Sequence, residues 1–243
     1  MPGKDTLVII PAFNEAESIG VFLDKLIQAS VQDMADILII NDGSADDTSQ
    51  IVKDKGFEII SHIYNLGYGC ALQTGYKHAV RKDYDYLIQI DSDGQHDVCN
   101  IENILNVLKS RDVDIVIGSR FLKGSTSSPV SSMKMVAIKL FRGIIKSITH
   151  QQILDPTSGL QGLNRRAFLY YSYYNNFVSD FPDANMIIQV LLNDFKTEEV
   201  PVIMHSRETG TSMHSGLKPI WYIIKMSINI AIVIIREKYF KKR

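Results

Sequence analysis

The sequence predicts an α/β fold, with a mostly parallel central sheet flanked by helices. Three observations carry this prediction. Short runs rich in Ile, Val and Leu recur through the first half of the chain, helix-length stretches separate them, and polar motifs follow several runs directly. Runs that are nearly all apolar suit strands covered on both faces. Strands that alternate with helices build βαβ units, and hence a parallel sheet.

The elements follow in order. TLVII at 6–10 reads as the first strand, DILII at 36–40 as the second, FEIIS at 57–61 as the third, YLIQI at 86–90 as the fourth and VDIVI at 113–117 as the fifth. Helix-like stretches at 15–30, 46–55, 68–82 and 98–110 fill the intervals. The segment 122–133 (LKGSTSSPVSSM) is Ser-rich, with Gly124 and Pro129, and predicts a loop. Beyond it the regular alternation weakens. A helix over 133–149, a short element at 159–164, helices at 165–174 and 183–195 and a strand at 199–204 complete the expectation. Residues 1–214 read as one domain and 215–243 as a separate C-terminal helix.

Bulk properties remove several classes. A chain of 243 residues with 45% hydrophobic and 22% charged residues is an ordinary globular composition. A net charge of −1 gives no whole-protein attraction to nucleic acid, so none is expected as a partner. Two cysteines, Cys70 and Cys99, exclude a disulfide framework and fit a reducing compartment. The opening MPGKDTLVIIPAFNE is not a signal peptide, because its apolar run is short and Pro11 breaks it; a cytoplasmic location is the expectation.

The C-terminal segment differs in character. Ile220 to Ile235, 16 residues, is interrupted by the polar residues Lys225, Ser227 and Asn229. As a helix it extends about 24 Å, short of the roughly 30 Å hydrocarbon core. REKYFKKR follows, with five basic residues against one acid. Apolar residues with Trp221 and Tyr222 at one end and a basic cluster at the other suit an interfacial helix on anionic lipid. A final helix packed on the domain, or on a second copy in a homo-oligomer, is the plainer alternative.

Polar motifs stand at three strand ends: Pro11-Ala12-Phe13-Asn14-Glu15, Asn41-Asp42-Gly43-Ser44 and Asp91-Ser92-Asp93-Gly94-Gln95. Open parallel sheets bind ligands at that rim. Each motif alone reads equally as turn and cap chemistry; three at one rim form a site. Alternation puts Asp91 and Asp93 on the same side, and Gln95 follows the turn that Gly94 permits. The paired carboxylates repel one another, which a hard divalent cation with oxygen ligands resolves. Asn65-Leu66-Gly67-Tyr68-Gly69-Cys70-Ala71 opens a helix, where backbone N–H groups can meet phosphate.

VIIPAFNEAESI, NDGSADDT, YNLGYGCALQTGY, IDSDGQH, IGSRF, DPTSGLQGLNR and a late RETGTS occur in one order over about 210 residues. Together they resemble the inverting family 2 glycosyltransferases of GT-A fold, in the branch of dolichol-phosphate mannose synthase and bacterial polyprenyl-phosphate glycosyltransferases. The resemblance implies a Rossmann-like nucleotide-sugar half over 1–120 and an acceptor half over 121–214. It implies that Asp91 and Asp93, with Gln95, hold Mg²⁺ or Mn²⁺, and that Ser92 lies within that DxD motif at the donor. It implies a nucleoside pocket lined by Pro11, Ala12, Asn14, Glu15 and Asp42, bordered by Gly69 and Ala71. Arg120, Arg207 and Arg142 match positions facing phosphates, and Asp155 of DPTSG stands between donor and acceptor. A nucleotide diphosphate leaving group gains charge as the sugar bond breaks, and a cation with planar arginine forks stabilises that change.

The acceptor is a fork. A sugar hydroxyl needs a general base, and Asp183 is the only carboxylate of Phe181-Pro182-Asp183-Ala184-Asn185. Asp183 is equally an ordinary first-turn residue after Pro182. A polyprenyl phosphate is already anionic and needs only cationic positioning. The arginines and the lipid-like C-terminus favour a UDP-sugar donor and a polyprenyl phosphate or lipid-linked glycan acceptor, handled by a peripheral protein at the inner membrane face. Transfer to a glycan hydroxyl with Asp183 as base is the first rival. A nucleotidyltransferase or a non-catalytic nucleotide-sugar-binding subunit follow it.

Overall fold

A computed structural model describes residues 4–178, 180–206 and 218–240. In chain order its elements begin β1 (Thr6–Ala12), α1 (Ile19–Gln28), α2 (Val31–Met34), β2 (Asp36–Asn41), α3 (Thr48–Asp54), β3 (Glu58–Ser61), α4 (Tyr68–Arg81), β4 (Tyr86–Gln89), α5 (Cys99–Ser110) and β5 (Ile115–Ser119). They continue with β6 (Thr126–Ser127), α6 (Ser132–Thr149), β7 (Gln161–Asn164), α7 (Arg165–Ser172), α8 (Ala184–Leu191), β8 (Thr197–Pro201), β9 (Ile203–Met204) and α9 (Lys218–Ile235).

One sheet of seven strands runs in the order β3-β2-β1-β4-β7-β5-β8. All its pairings are parallel except those of β7, which is antiparallel to both β4 and β5. The α/β expectation therefore holds. The apolar runs are strands because both faces are covered: β1 is buried along its whole length. On one face Leu7, Ile9, Leu38 and Leu87 pack with Leu72, Tyr76, Phe141 and Phe168. On the other, Val8, Ile10 and Ile88 pack with Phe22, Leu26, Ile101 and Ile104.

Three expectations change in detail. The helix read over 15–30 starts at Ile19, because Asn14 takes a left-handed φ of 53° and Glu15–Ser18 forms a turn closed by Ile19 N–H on the Glu15 carbonyl at 2.8 Å. The strand read over 199–204 is two strands, since Pro201 brings no N–H and the buried Val202 turns inward between β8 and β9. The segment read as a loop at 122–133 contains β6, which pairs with β9.

α9 has 18 residues, about 27 Å, and no helix among the described residues is long and apolar enough to cross a membrane. Tyr222, Met226, Ile230 and Val233 turn inward, joining the core beside α8 and α6. Trp221, Ile224, Ile228, Ile232 and Ile235 form an exposed apolar stripe on the other side, and Met133, Val136 and Leu140 of α6 are exposed too.

Candidate active site

The rim above β1 and β2 is stitched together by its own polar residues. Asn14 N–H donates to Ser44 Oγ at 2.9 Å, Asn14 Oδ1 accepts from Ala45 N–H at 2.9 Å, and Glu15 N–H donates to Thr48 Oγ1 at 2.8 Å. Pro11 and Ala12 lie buried beneath. Asp42, 3% exposed, accepts from Leu66 N–H at 2.9 Å, Gly67 N–H at 2.8 Å and the His62 ring at 2.7 Å. Its carboxylate thus staples the NLGYG loop to the end of β2. Gly43 allows the approach: at φ 69°, a Cβ there would lie 2.4 Å from the Tyr64 carbonyl carbon. Gly69 and Ala71, both buried, sit in the first turn of α4 that this loop leads into.

β4 delivers the carboxylate motif to the neighbouring position. Asp91 Oδ1 accepts from Tyr68 OH at 2.8 Å, and Asp93 Oδ1 accepts from Gln95 N–H at 3.0 Å, which folds the turn back on itself. Ser92 is buried, and Gln95 Nε2 donates to the His205 carbonyl at 3.4 Å. His96 is buried with Nδ1 unpartnered among the described residues, and burial pushes its pKa down to about 4, so it stays neutral. Asp91, Asp93 and Gln95 offer only hard oxygen donors. Among the described residues no group of three His, Cys, Asp or Glu forms a metal cage. That donor set fits a Mg²⁺- or Mn²⁺-sized ion, whose remaining ligands would come from substrate phosphates and water.

β5 and β7 bring up the other side. Asp155 is fully buried and takes a fork from Arg120, Nε to Oδ2 at 2.7 Å and Nη2 to Oδ1 at 2.6 Å, plus the Arg120 N–H at 3.0 Å. Arg120 Nη2 also reaches Thr157 Oγ1 at 2.8 Å, while Nη1 makes none of these bonds. Arg142 donates from Nε to the Leu154 carbonyl at 2.5 Å and lies 4.4 Å over the Phe121 ring, its buried Nη2 unpartnered among the described residues. Asp183, half-buried at the start of α8, accepts from Tyr222 OH at 2.7 Å. Burial pushes its pKa up to about 6, with the like charge of Asp91 adding to the rise; Tyr222, Lys134 and Arg120 oppose it. Arg207 lies outside the described residues.

Sequence reasoning missed Lys134. Its ammonium is within electrostatic reach of Arg120, Asp155, Asp183 and Asp91, and burial lowers its pKa. A signal existed: Ala137, Ile138, Phe141 and Ile145 mark the inward face of α6, and Lys134 lies one turn ahead on that face. A cation at a core-facing position requires a reason. Tyr68 and Tyr222, each bonded to a site carboxylate, were missed as well.

Residues 7–171 match the family described as Glycosyl transferase family 2. The chain belongs to this family. It is 29% identical over 236 residues to an uncharacterised protein of Methanocaldococcus jannaschii, covering 93% of each chain. It is 26% identical over 223 residues to the polyprenol monophosphomannose synthase of Mycolicibacterium smegmatis, covering 88% of this chain and 83% of that one. It is 27% identical over 226 residues to the undecaprenyl-phosphate mannosyltransferase of Micrococcus luteus, covering 86% and 87%. Among solved structures, glucosyl-3-phosphoglycerate synthase from Mycobacterium tuberculosis, in complex with Mn²⁺, UDP and glucosyl-3-phosphoglycerate, superposes with a TM-score of 0.67 at 17% identity, covering 97% of this chain and 80% of that one. The fold is GT-A and the protein is a glycosyltransferase.

In this family 2 glycosyltransferase Gly159 leaves room for the Asp91 carboxylate. A Cβ added at Gly159 would lie 2.2 Å from Asp91 Oδ2. Gly159→Ala should displace that carboxylate and weaken Mn²⁺ and nucleotide binding together by about tenfold or more, read by calorimetric titration; unchanged affinities would show that Asp91 does not contribute to that site.

Proposed function

We propose that the protein transfers a sugar from a nucleotide diphosphate, UDP in our reading, to a polyprenyl phosphate or lipid-linked glycan, with inversion at the anomeric carbon. The observation that carries this reading is the cationic character of the acceptor side. Lys134 is desolvated, within reach of three site carboxylates, and forms no salt bridge among the described residues. Arg120 and Arg142 flank the same region with donors to spare. A phosphate acceptor is already a nucleophile; what it needs is charge neutralisation and aim. The names of the Mycolicibacterium and Micrococcus relatives support the lipid phosphate.

Asp91, Asp93 and Gln95 would hold Mg²⁺ or Mn²⁺, which when bound neutralises charge on the departing nucleotide diphosphate. Tyr68 fixes Asp91, the Asp42 staple shapes the nucleoside pocket, and Lys134 with Arg120 Nη1 draws the acceptor phosphate to the face opposite the nucleotide. The exposed stripe of α9 and the basic residues after it support residence at the anionic inner face of a membrane.

The rival reading, a glycan hydroxyl acceptor, is favoured by Asp183, whose pKa near 6 suits a base. One experiment separates them: nucleotide release from UDP- and GDP-sugars, with and without undecaprenyl phosphate and Mn²⁺, for wild type and Asp183→Asn. We expect glycosylated lipid phosphate, and Asp183→Asn within about tenfold of wild type. A loss of about 10²–10⁴ with Mn²⁺ and UDP binding intact would assign Asp183 as base and overturn the phosphate reading. The same variant tests the titration. A carboxyl raised from 3.8 to about 6 favours folding in its protonated form, so its contribution is full below about pH 4 and lost as pH rises through 6. Asp183→Asn should therefore be more stabilising at pH 8 than at pH 4, as read by thermal unfolding.

A further inference from the structure

We propose that α9 is a clamp on the acceptor-side loop 180–183, and that Tyr222 is the positioning residue through which the clamp fixes Asp183. The inference rests on the reading that Asp183 faces the acceptor. Three α9 side chains on one helical face, at i, i+3 and i+7, hold this loop. Tyr222 OH donates to Asp183 Oδ2 at 2.7 Å, Lys225 Nζ donates to Asp180 Oδ2 at 2.8 Å, and Asn229 Nδ2 donates to the Asp180 carbonyl at 2.9 Å. The Tyr222 ring, 8% exposed, meets Phe181 edge-on at 5.2 Å and Phe141 at 6.0 Å.

The loop needs holding. Phe181 sits at φ 55°, a left-handed conformation that a bulky aromatic residue adopts only when its surroundings impose it. Asp183 N–H closes a tight turn on the Phe181 carbonyl at 3.0 Å and also meets Asn185 Oδ1 at 2.9 Å, which fixes the backbone but leaves the carboxylate to be aimed. Tyr222 aims it. The Lys225–Asp180 pair is too exposed to do so alone. Asp183 in turn lies in the field of Lys134 and Arg120, so its placement sets where an acceptor phosphate meets those cations. The C-terminal helix is therefore part of the working site as well as its covering.

Tyr222→Phe keeps both ring contacts and removes only the hydroxyl. In the full-length protein, amide hydrogen exchange across 180–187 should accelerate about tenfold with the fold retained. With undecaprenyl phosphate in detergent micelles, the acceptor KM should rise about tenfold, the cost of one hydrogen bond to a charged group, while donor KM stays put. Combining it with Asp183→Ala, which removes the acceptor of that hydrogen bond, should add no further increase in acceptor KM beyond that of Asp183→Ala alone, because the two changes break one interaction. Asn229→Ala, which releases the loop from its other end, should move both readouts in the same direction. Unchanged exchange in Tyr222→Phe, or donor and acceptor KM rising together, would overturn the clamp. If the wild type glycosylates no undecaprenyl phosphate, the functional reading falls, and the exchange measurement still decides the clamp.

Discussion

Arg120→Ala should abolish transfer and cost about 3–5 kcal/mol of stability, the scale for removing one partner of a buried ion pair. Asp155 is fully buried and its two oxygens take the guanidinium fork and the Arg120 N–H. Without the fork an unpaired carboxylate stays buried, while Glu199 still holds the Leu154 and Asp155 N–H groups at 2.7 Å and keeps the loop from turning outward. Arg120→Lys should recover little, because an ammonium cannot reproduce two parallel bonds and the contact to Thr157. Arg120→Met with Asp155→Leu removes both charges and should restore most of the stability without restoring transfer. Urea unfolding and nucleotide release, measured on all four proteins, test the point. A double variant as unstable as Arg120→Ala would show that the pair does more than cancel its own charges.

Asp93→Ala should lower turnover by about 10²–10³, the scale for losing one preorganised electrostatic contact to developing charge, and should weaken Mn²⁺ binding in titrations without substrate. The Gln95 N–H on Asp93 Oδ1 already holds the carboxylate in the turn, so little rearrangement is needed when an ion arrives. Asp93→Asn keeps that hydrogen bond and loses the charge, so it should behave like the alanine variant. EDTA should silence the wild type reversibly. Full activity in EDTA, or in Asp93→Ala, would refute the metal assignment.

The sequence displays the α/β layering because periodicity is local: TLVII or DILII needs no distant partner to look like a buried strand. The strand-end motifs were equally visible, since each lies within five residues of its strand. What stayed hidden is long-range. The short element expected at 159–164 is β7, the four-residue strand QGLN; with Gly162 where a Cβ would meet Ile104 at 2.3 Å, packing removes the apolar pattern that would show it as a strand in the middle of the sheet. Arg120 pairs with Asp155 across 35 residues and Tyr222 with Asp183 across 39. Neither spacing carries a local signature. An arginine expected at a phosphate is therefore found sharing its fork with a carboxylate, and a helix set apart at 215–243 supplies a hydrogen bond to the site.

The inserted strand β7 also settles how this molecule can move. Many two-sided sites open like a clam, with each half swinging about a linker. Here β7 is hydrogen-bonded on one edge to β4, whose end leads into Asp91 and Asp93, and on the other to β5, which is followed directly by Arg120. Swinging the halves apart would tear a ladder in the middle of the sheet. The spacing between the Asp91–Asp93 turn and Arg120 is thus held by backbone register, and any opening is left to the loops and side chains at the rim.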